Sequence, residues 1–254
     1  MVFALVLTAL ADPVRESRVA MGTVVGITVD APDTIARPAI EAAYAAIEAG
    51  EALASEWRPG SVTARLVDGV DVPPEVDALL RFCLDLRERS GGAFDVMWRG
   101  GELRHDGAHW SSTARPDLGG VLKGWLNDRA AAALRAAGAE RFLVDAAGDV
   151  YAAGDWEVEV WGVSRVTTVH LHDQALSTSG NTGQPGHVTD ARTHAPVLGA
   201  RLVTVIAPTG LVADGVATAV FASGDVRVAE GYGAAALLVE GGRRWSRGAR
   251  RVFR

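Results

Sequence analysis

The chain has 254 residues, of which 48% are hydrophobic and 22% are charged, a composition that excludes an intrinsically disordered protein. Its net charge of −6 at pH 7 gives no basic footprint for nucleic acid, so we expect no nucleic-acid partner. The single cysteine, Cys83, excludes an internal disulfide and a cysteine-based zinc site, and its place in a helical apolar pattern predicts a core residue.

The N-terminal segment, residues 1–18, begins with a nearly continuous apolar run over residues 2–10. Residues 9–11 resemble a signal-peptidase site, but no Lys or Arg precedes the run, and it is too short to span a bilayer. We therefore expect no transmembrane segment. A first strand or a misassigned start is at least as well supported as a secretion signal. The sequence favours a cytoplasmic location and leaves export and membrane association open.

Residues 19–254 alternate strands and helices without a strict βαβ rhythm, internal repeat or clear linker. We expect a single α+β domain with mixed or antiparallel sheets flanked by helices. The apolar patterns first predict a strand at 19–29, a helix at 39–54 entered at Pro38, a helix at about 74–90 and a third helix that follows Lys123 and stops at Gly138. Short β-rich runs are then predicted at 141–144, 151–153, 157–160, 166–171 and 202–207. The chain ends with a short helix at about 212–221, an ordered run at 226–231 and closing strands near 235–239.

A glycine-rich turn at residues 117–124 contains the only lysine of the sequence, Lys123. All other basic side chains except histidine are arginines, so a position that keeps lysine indicates a need for a compact ammonium group on a flexible stem. Glycine-rich turns that lead into a helix often bind anions through their backbone N–H groups. The alternative is a lysine that binds helix or loop carbonyls, and the turn alone does not decide between the two.

Two further clusters each have two interpretations. Asp145 and Asp149 lie around a glycine between apolar strands, where they suit a metal or ribose hydroxyls. The alternative, which this cluster alone favours, is a strand connection with Asx-type turn bonding. Residues 177–180 are followed by His187 and Asp190, which suit a general base with its partner or an ordinary polar loop.

Asp214 and Thr218 lie four residues apart in a predicted helix and therefore share one face. A carboxylate and a hydroxyl one turn apart suit Mg²⁺, which takes oxygen ligands and retains water. The alternative, favoured by this pair taken singly, is an aspartate in a first helical turn and a threonine that bonds back to a carbonyl.

Taken in chain order, these clusters match one family. The chain resembles the FAD:protein FMN transferases, the ApbE-like flavin transferases, from about residue 19 to 239. Each matching stretch is weak alone, but nine of them in the family's order make the resemblance specific. The stretches are residues 21–23, 55–61, 92–95, 117–124, 145–149, 177–180, 187–190, 203–208 and 213–218.

The resemblance implies a set of site residues. FAD would lie along Met21, Trp57, Asp95, Lys123, Trp125 and the backbone around Thr189. Mg²⁺ would be held by the side chains of Asp214 and Thr218 and by the backbone carbonyl of Leu122. His187 matches the family's histidine and is the general-base candidate, and Asp214 is the second catalytic residue.

The resemblance also implies a reaction, in which the FMN moiety of FAD passes to a Ser or Thr hydroxyl of an acceptor protein and AMP leaves. Mg²⁺, Lys123 and the turn amides would stabilise the developing charge, and His187 would take the hydroxyl proton. The alternative is an FAD pyrophosphatase, in which water replaces the protein hydroxyl. A non-catalytic flavin-binding protein is less well supported, because the polar site residues are retained.

Departures from the family pattern, which include a short segment between Phe94 and Asp117 and a compact loop after Gly180, concern substrate affinity and acceptor choice more than the fold. Val67 stands where the family often has Asn, which removes one polar contact to the nucleotide. Residues 190–194 read Asp-Ala-Arg-Thr-His in place of Asp-Pro-Arg-Thr-Gly, so we expect a remodelled turn. Leu122 is bulkier than the family's Ala or Gly but still offers the same carbonyl.

Overall fold

The computed structural model describes residues 12–161, 166–181 and 185–253. The apolar run at residues 2–10, expected to be a first strand or a leader, lies outside the described residues. The expected division at residue 18 falls inside the first strand, Val14–Ala20, so residues 14–18 belong to the sheet.

One large antiparallel sheet organises the described part of the chain. Its eight strands run in the order β1-β2-β6-β7-β8-β11-β12-β13, and smaller sheets are formed by β3-β5-β4 and by β9-β10. The strands are β1 Val14–Ala20, β2 Thr23–Val29, β3 Val70–Asp71, β4 Leu103–Asp106, β5 His109–Ser112, β6 Phe142–Ala146, β7 Asp149–Trp161, β8 Val166–Gly180, β9 Thr189–Asp190, β10 Ala195–Pro196, β11 Leu202–Ala207, β12 Ala235–Val239 and β13 Arg243–Trp245.

Helices cover one face of the large sheet, which confirms the predicted α+β class. They are α1 Asp33–Ala54, α2 Pro74–Arg89, α3 Leu122–Ala136 and α4 Gly210–Ser223, and the run predicted at 226–231 is a 3₁₀ helix, Val226–Tyr232. The main core lies between these helices and the sheet and includes Cys83, as predicted. A second apolar cluster, around Trp156, Leu171 and Phe253, packs on the opposite face.

The strand predicted at residues 19–29 is a hairpin, so that prediction was wrong. The chain turns at Met21 and Gly22, whose φ values are 54° and 68°, and β1 and β2 then pair from Ala20–Thr23 outwards. Tight hairpin turns require positive φ, which Gly adopts freely and Met does not. Met is not a typical turn residue, so the apolar residues on both sides concealed the turn in the sequence. The turn places Met21 between the paired ends of β1 and β2.

Two other boundaries differ from the predictions. Helix α1 begins at Asp33 and holds Pro38 inside it, whereas Pro38 was expected at the entrance. The β runs predicted at 151–153 and 157–160 form one strand, β7, with an irregularity between Ala152 and Asp155. Its partner β8 continues to Gly180, well beyond the predicted end at residue 171.

Candidate active site

One cavity of about 880 Å³ lies where the ends of several elements meet. Its walls come from the β1–β2 turn, the loop after α1, the glycine-rich turn before α3, the end of β8 and one face of α4. Most of the residues singled out in the sequence line this cavity, and they are Met21, Trp57, Asp95, Lys123, His187, Thr189, Asp214 and Thr218.

Lys123 is fixed at the cavity by a buried carboxylate. Its Nζ donates to Oδ2 of Asp149, which is only 3% exposed and whose Oδ1 accepts from the Ser177 hydroxyl. Asn127 Nδ2 donates to the backbone carbonyl of Asp149 at 2.7 Å. Burial lowers the pKa of Lys123, but the Asp149 and Asp214 carboxylates outweigh that effect and raise it. The ammonium group therefore stays charged at neutral pH.

The two carboxylates around Gly148 have different roles. Asp145 Oδ1 accepts from the N–H of Gly148 at 2.9 Å, which is the turn bonding that the sequence favoured. Asp149 instead begins β7 and turns its side chain into the cavity wall beside Lys123. The site interpretation therefore applies to Asp149 and the turn interpretation to Asp145.

Asp214 and Thr218 both line the cavity from α4, one helical turn apart. Asp214 is 4% exposed, and its Oδ2 accepts a 3.0 Å hydrogen bond from the N–H of Gly124. Burial raises the pKa of Asp214, and the nearby charge of Asp149 raises it further. A cation beside this carboxylate would offset both effects.

The donors at this place fit magnesium. A buried carboxylate and a hydroxyl that face the same cavity are hard oxygen ligands, and Mg²⁺ completes its shell with water. Within the described ranges, no group of three or more His, Cys, Asp and Glu side chains is arranged to hold a metal. A cation here would therefore rest on the side chains of Asp214 and Thr218, backbone oxygens, substrate and water.

Three glycines bring the turn before α3 against α4. A Cβ on Gly124 would lie 2.1 Å from the carbonyl oxygen of Gly210, and one on Gly210 would lie 2.3 Å from the carbonyl oxygen of Gly124. A Cβ on Gly120 would lie 2.9 Å from the Thr218 side chain. Asp128 fixes the same junction by accepting from the N–H groups of Gly210 and Leu211 at 2.6 and 2.9 Å. The absence of side chains at these positions therefore places the α3 N-terminus beside Asp214.

His187 lines the cavity, and its ring centroid lies 6.2 Å from that of Phe221. Asp190, considered as its partner, forms a 2.6 Å ion pair with Arg192. That pairing lowers the pKa of Asp190. Asp190 thus behaves as the polar-loop interpretation expected, while His187 remains placed at the cavity.

Residues at the cavity mouth differ in how firmly they are held. Trp57 is 79% exposed, so most of its ring surface is open to a ligand. Asp95 pairs with Arg87 at 2.7 Å and accepts from the N–H of Met97 at 2.8 Å. Asp95 is therefore a fixed wall group, and Trp57 offers a flat apolar surface for stacking.

Two expected contact residues do not line the cavity. Trp125 is 6% exposed within the main core, and the Arg129 guanidinium lies 4.8 Å from its ring centroid. It follows Gly124 on α3, where the helix turns its side chain toward the core, so we no longer place it against FAD. Leu122 packs against the same core, and a role for its backbone carbonyl stays a prediction.

The sequence did not point to a second pair of carboxyl groups at the cavity, Glu56 and Asp117. Glu56 is 5% exposed, and its Oε2 accepts from the N–H of Leu118 at 3.0 Å. Asp117 accepts from Trp98 Nε1 at 2.8 Å and pairs with Arg99 at 3.0 Å. Burial raises the pKa of Glu56, and the charge of Asp117 raises it further. Both residues lie in the family stretches 55–61 and 117–124, but they are far apart in the sequence, so the sequence alone does not predict that they are close in the structure.

Comparison with known proteins assigns the chain to a family. A profile of the ApbE family matches residues 21–100 and 102–236, which is most of the chain. The chain belongs to the ApbE family. A curated relative, the FAD:protein FMN transferase of Rhodobacter capsulatus, is 30% identical over 297 aligned residues. That match covers 92% of this chain but 56% of the relative, so the chain spans only about half of the relative's length.

Solved ApbE structures share the fold. The flavin transferase ApbE of Vibrio cholerae superposes with a TM-score of 0.84 at 20% identity, covering 95% of this chain and 99% of that one. The ApbE protein of Thermotoga maritima gives a TM-score of 0.81 at 23% identity, covering 95% and 99%. At these identities the likeness establishes the architecture. No helix in the described segments is both long and apolar enough to cross a membrane.

Proposed function

We propose that this ApbE-family chain transfers the FMN moiety of FAD to a Ser or Thr hydroxyl of an acceptor protein, with Mg²⁺ as cofactor and AMP as leaving group. The observation that carries the proposal is the meeting of Lys123, His187, Asp214 and Thr218 in one cavity beside a glycine-rich turn. Family membership and the name of the curated relative support it.

The cavity offers what a dinucleotide needs. Its volume of about 880 Å³ lies within the range of sites for large organic ligands. The N-terminus of α3, which follows Gly119 and Gly120, carries the partial positive charge of the helix dipole, which suits a pyrophosphate. Lys123 adds a full positive charge at the same end. We place the flat ring of Trp57 against one of the two ring systems of FAD.

Asp214, Thr218 and the Leu122 carbonyl would hold the Mg²⁺ ion. When bound there, Mg²⁺ supplies neutralisation of the charge that develops on the phosphate oxygens and the leaving group, worth several kcal/mol. Lys123 stabilises the same charge from the side of Asp149. The burial of the Asp214 carboxylate strengthens the effect, because little water screens a charge beside it.

His187 is the base in this proposal. The acceptor hydroxyl oxygen forms a bond to the FMN phosphorus, the bond from that phosphorus to the bridging oxygen breaks, and AMP leaves with the electron pair. The hydroxyl proton passes to the imidazole of His187, a contribution of roughly 10²–10⁴-fold for a placed base. Water in the same position would release FMN and AMP instead.

Incubation of the protein with FAD and Mg²⁺, with and without Ser- or Thr-containing acceptor peptides, tests the proposal. We expect flavin covalently attached to a peptide together with an equal amount of AMP. Release of FMN and AMP at one rate with every peptide tested, with no flavin attached to protein, would replace the transferase by a pyrophosphatase. A protein that binds FAD but leaves it intact would exclude both.

A further inference from the structure

The C-terminal segment concentrates positive charge. Residues 243–254 contain six arginines and no Asp or Glu, whereas the first 242 residues hold 19 Lys and Arg against 31 Asp and Glu. Arg243, Arg244, Arg247, Arg250 and Arg251, named here the arginine cluster, are all exposed. An acidic protein therefore carries one strongly basic surface at the end of its sheet.

Most of the cluster lacks the partners that arginines have elsewhere in the molecule. Most of the other described arginines form an ion pair with a carboxylate, as Arg81 does with Asp77 at 2.7 Å. Within the cluster, Arg244 pairs with Glu240 at 2.9 Å. Among the described residues, Arg243, Arg247, Arg250 and Arg251 have no carboxylate within 4.0 Å. Their charge is thus left for an external anion.

These arginines stand on a fixed scaffold. Ser246 joins β12 through two hydrogen bonds with Ala236, each 2.9 Å long. Ala249 is fully buried, and Phe253 is 7% exposed and lies 5.9 Å from the Trp245 ring. The backbone that carries Arg250 and Arg251 is therefore anchored in the second apolar cluster.

The cluster encloses a hollow of about 560 Å³. Arg243, Arg244, Arg250 and Arg251 line it together with Trp245 and Ser246. No acidic residue of the described chain lines it, and it shares no lining residue with the catalytic cavity. Because the surface is concave, several guanidinium groups can contact one bound anion.

We propose that this hollow is a second, non-catalytic binding site for a ligand with two or more phosphate charges. Guanidinium groups bind phosphate oxygens in a bidentate manner, and several unpaired ones around one hollow select a multiply charged anion. The ligand is either a soluble phosphate compound or the headgroup of an anionic phospholipid, and the two share this chemistry. The site is independent of FAD transfer.

Calorimetric titration with inorganic pyrophosphate, in the presence of saturating FAD and without Mg²⁺, tests the soluble source. Sedimentation with phosphatidylcholine vesicles, with and without cardiolipin, whose headgroup carries two phosphates, tests the lipid source. The variant R250Q/R251Q removes two unpaired cations, and Arg65→Gln removes an exposed arginine that does not line the hollow. We expect saturable binding in at least one arm, at least about tenfold weaker in R250Q/R251Q and unchanged in Arg65→Gln.

The titration and the sedimentation experiment distinguish a soluble ligand from a lipid headgroup, and both test the same arginines. Pyrophosphate binding that is lost in R250Q/R251Q supports a soluble ligand, and vesicle binding that needs cardiolipin and the same arginines supports a headgroup. Absence of binding in both arms overturns the proposal. Binding that persists in R250Q/R251Q also overturns it, because the anion then rests elsewhere.

Discussion

The position of Lys123 suits a lysine better than an arginine, because its cation pairs with only one oxygen of a buried carboxylate. Asp149 is buried, and one of its two carboxylate oxygens already accepts from Ser177. Only the other oxygen is left for the cation. A single ammonium group meets that condition, whereas a guanidinium favours both oxygens at once.

We expect Lys123→Arg to lower FAD turnover roughly ten- to a hundredfold although the charge is preserved. The planar guanidinium group of arginine would move the positive charge away from the position that the Lys123 ammonium group offers to the FAD phosphates. Steady-state rates and FAD affinity measure the effect, with Arg104→Lys as the control on an exposed arginine. Wild-type rate and affinity in Lys123→Arg would mean that only charge is required there.

Asp214 can be tested with two variants that separate charge from structure. We expect Asp214→Asn to abolish Mg²⁺-dependent turnover with little change in Tm, because the amide oxygen still accepts from the Gly124 N–H. Asp214→Ala should abolish turnover and also lose about 1–3 kcal/mol of stability, since a buried donor is left unpaired. Asp33→Asn, at an exposed carboxylate of α1, is the control. An Asp214→Asn protein with a wild-type response to Mg²⁺ would contradict the metal assignment.

Glu56 makes stability depend on pH. Burial, reinforced by Asp117, raises its pKa in the folded protein, so the fold favours the protonated form. This contribution is complete below the unfolded pKa of about 4.3 and is lost as pH rises through the folded value. We therefore expect the Tm of Glu56→Gln, relative to wild type, to be higher at pH 8 than at pH 5. The same measurement on Glu48→Gln, an exposed glutamate of α1, should give no such trend, and a flat difference for Glu56→Gln would remove this explanation.

At the scale of elements, the contact between α3 and α4 sets the geometry of the site. Gly124 and Gly210 pack backbone to backbone, and the N–H of Gly124 donates to Asp214 across the junction. The closeness of these helices holds Lys123 and Asp214 in one wall. Any side chain inserted there must push the helices apart.

We expect Gly124→Ala to lose about 1–3 kcal/mol of stability by overpacking and to lose most FAD turnover. The added Cβ would lie 2.1 Å from the Gly210 oxygen and 2.7 Å from the Asp214 Cβ. Urea unfolding and turnover measure both effects. Gly60→Ala, where no atom lies within 4 Å of the new Cβ, is the matched control. A Gly124→Ala protein as stable and active as that control would show that the junction tolerates separation.

Local patterns predicted some elements and hid others. The helix predicted at 74–90 is Pro74–Arg89, and β11 was predicted at its observed bounds, because apolar spacing and a glycine stop are local signals. The turn at Met21 and Gly22 was hidden by the apolar residues on both sides. The end of β8 reads as a polar loop, yet Ser177 lies within the strand and is buried against Asp149. That burial depends on pairing with β7 and β11, which no single stretch specifies.

On the scale of the whole molecule, the sheet order brings together groups that are distant in the sequence. The ammonium group of Lys123 meets a carboxylate from the start of β7 and faces another from α4. Spacing could predict the pair Asp214 and Thr218, since one helix carries both. The contact of Lys123 with Asp149, and that of Glu56 with the turn at Leu118, depend on tertiary structure. The family resemblance supplied the roles, and the fold supplied these contacts and removed Trp125 from the cavity.

The most direct test of the central claim is the rate at which flavin becomes covalently attached to an acceptor peptide in wild type and in His187→Ala. FAD affinity is measured on both proteins by flavin fluorescence. We predict that attachment falls by at least about a hundredfold, the usual scale for a lost general base. FAD affinity should change much less, because binding rests on stacking and phosphate contacts. An unchanged rate of attachment in His187→Ala would contradict the account of this cavity as a transferase site with His187 as its base.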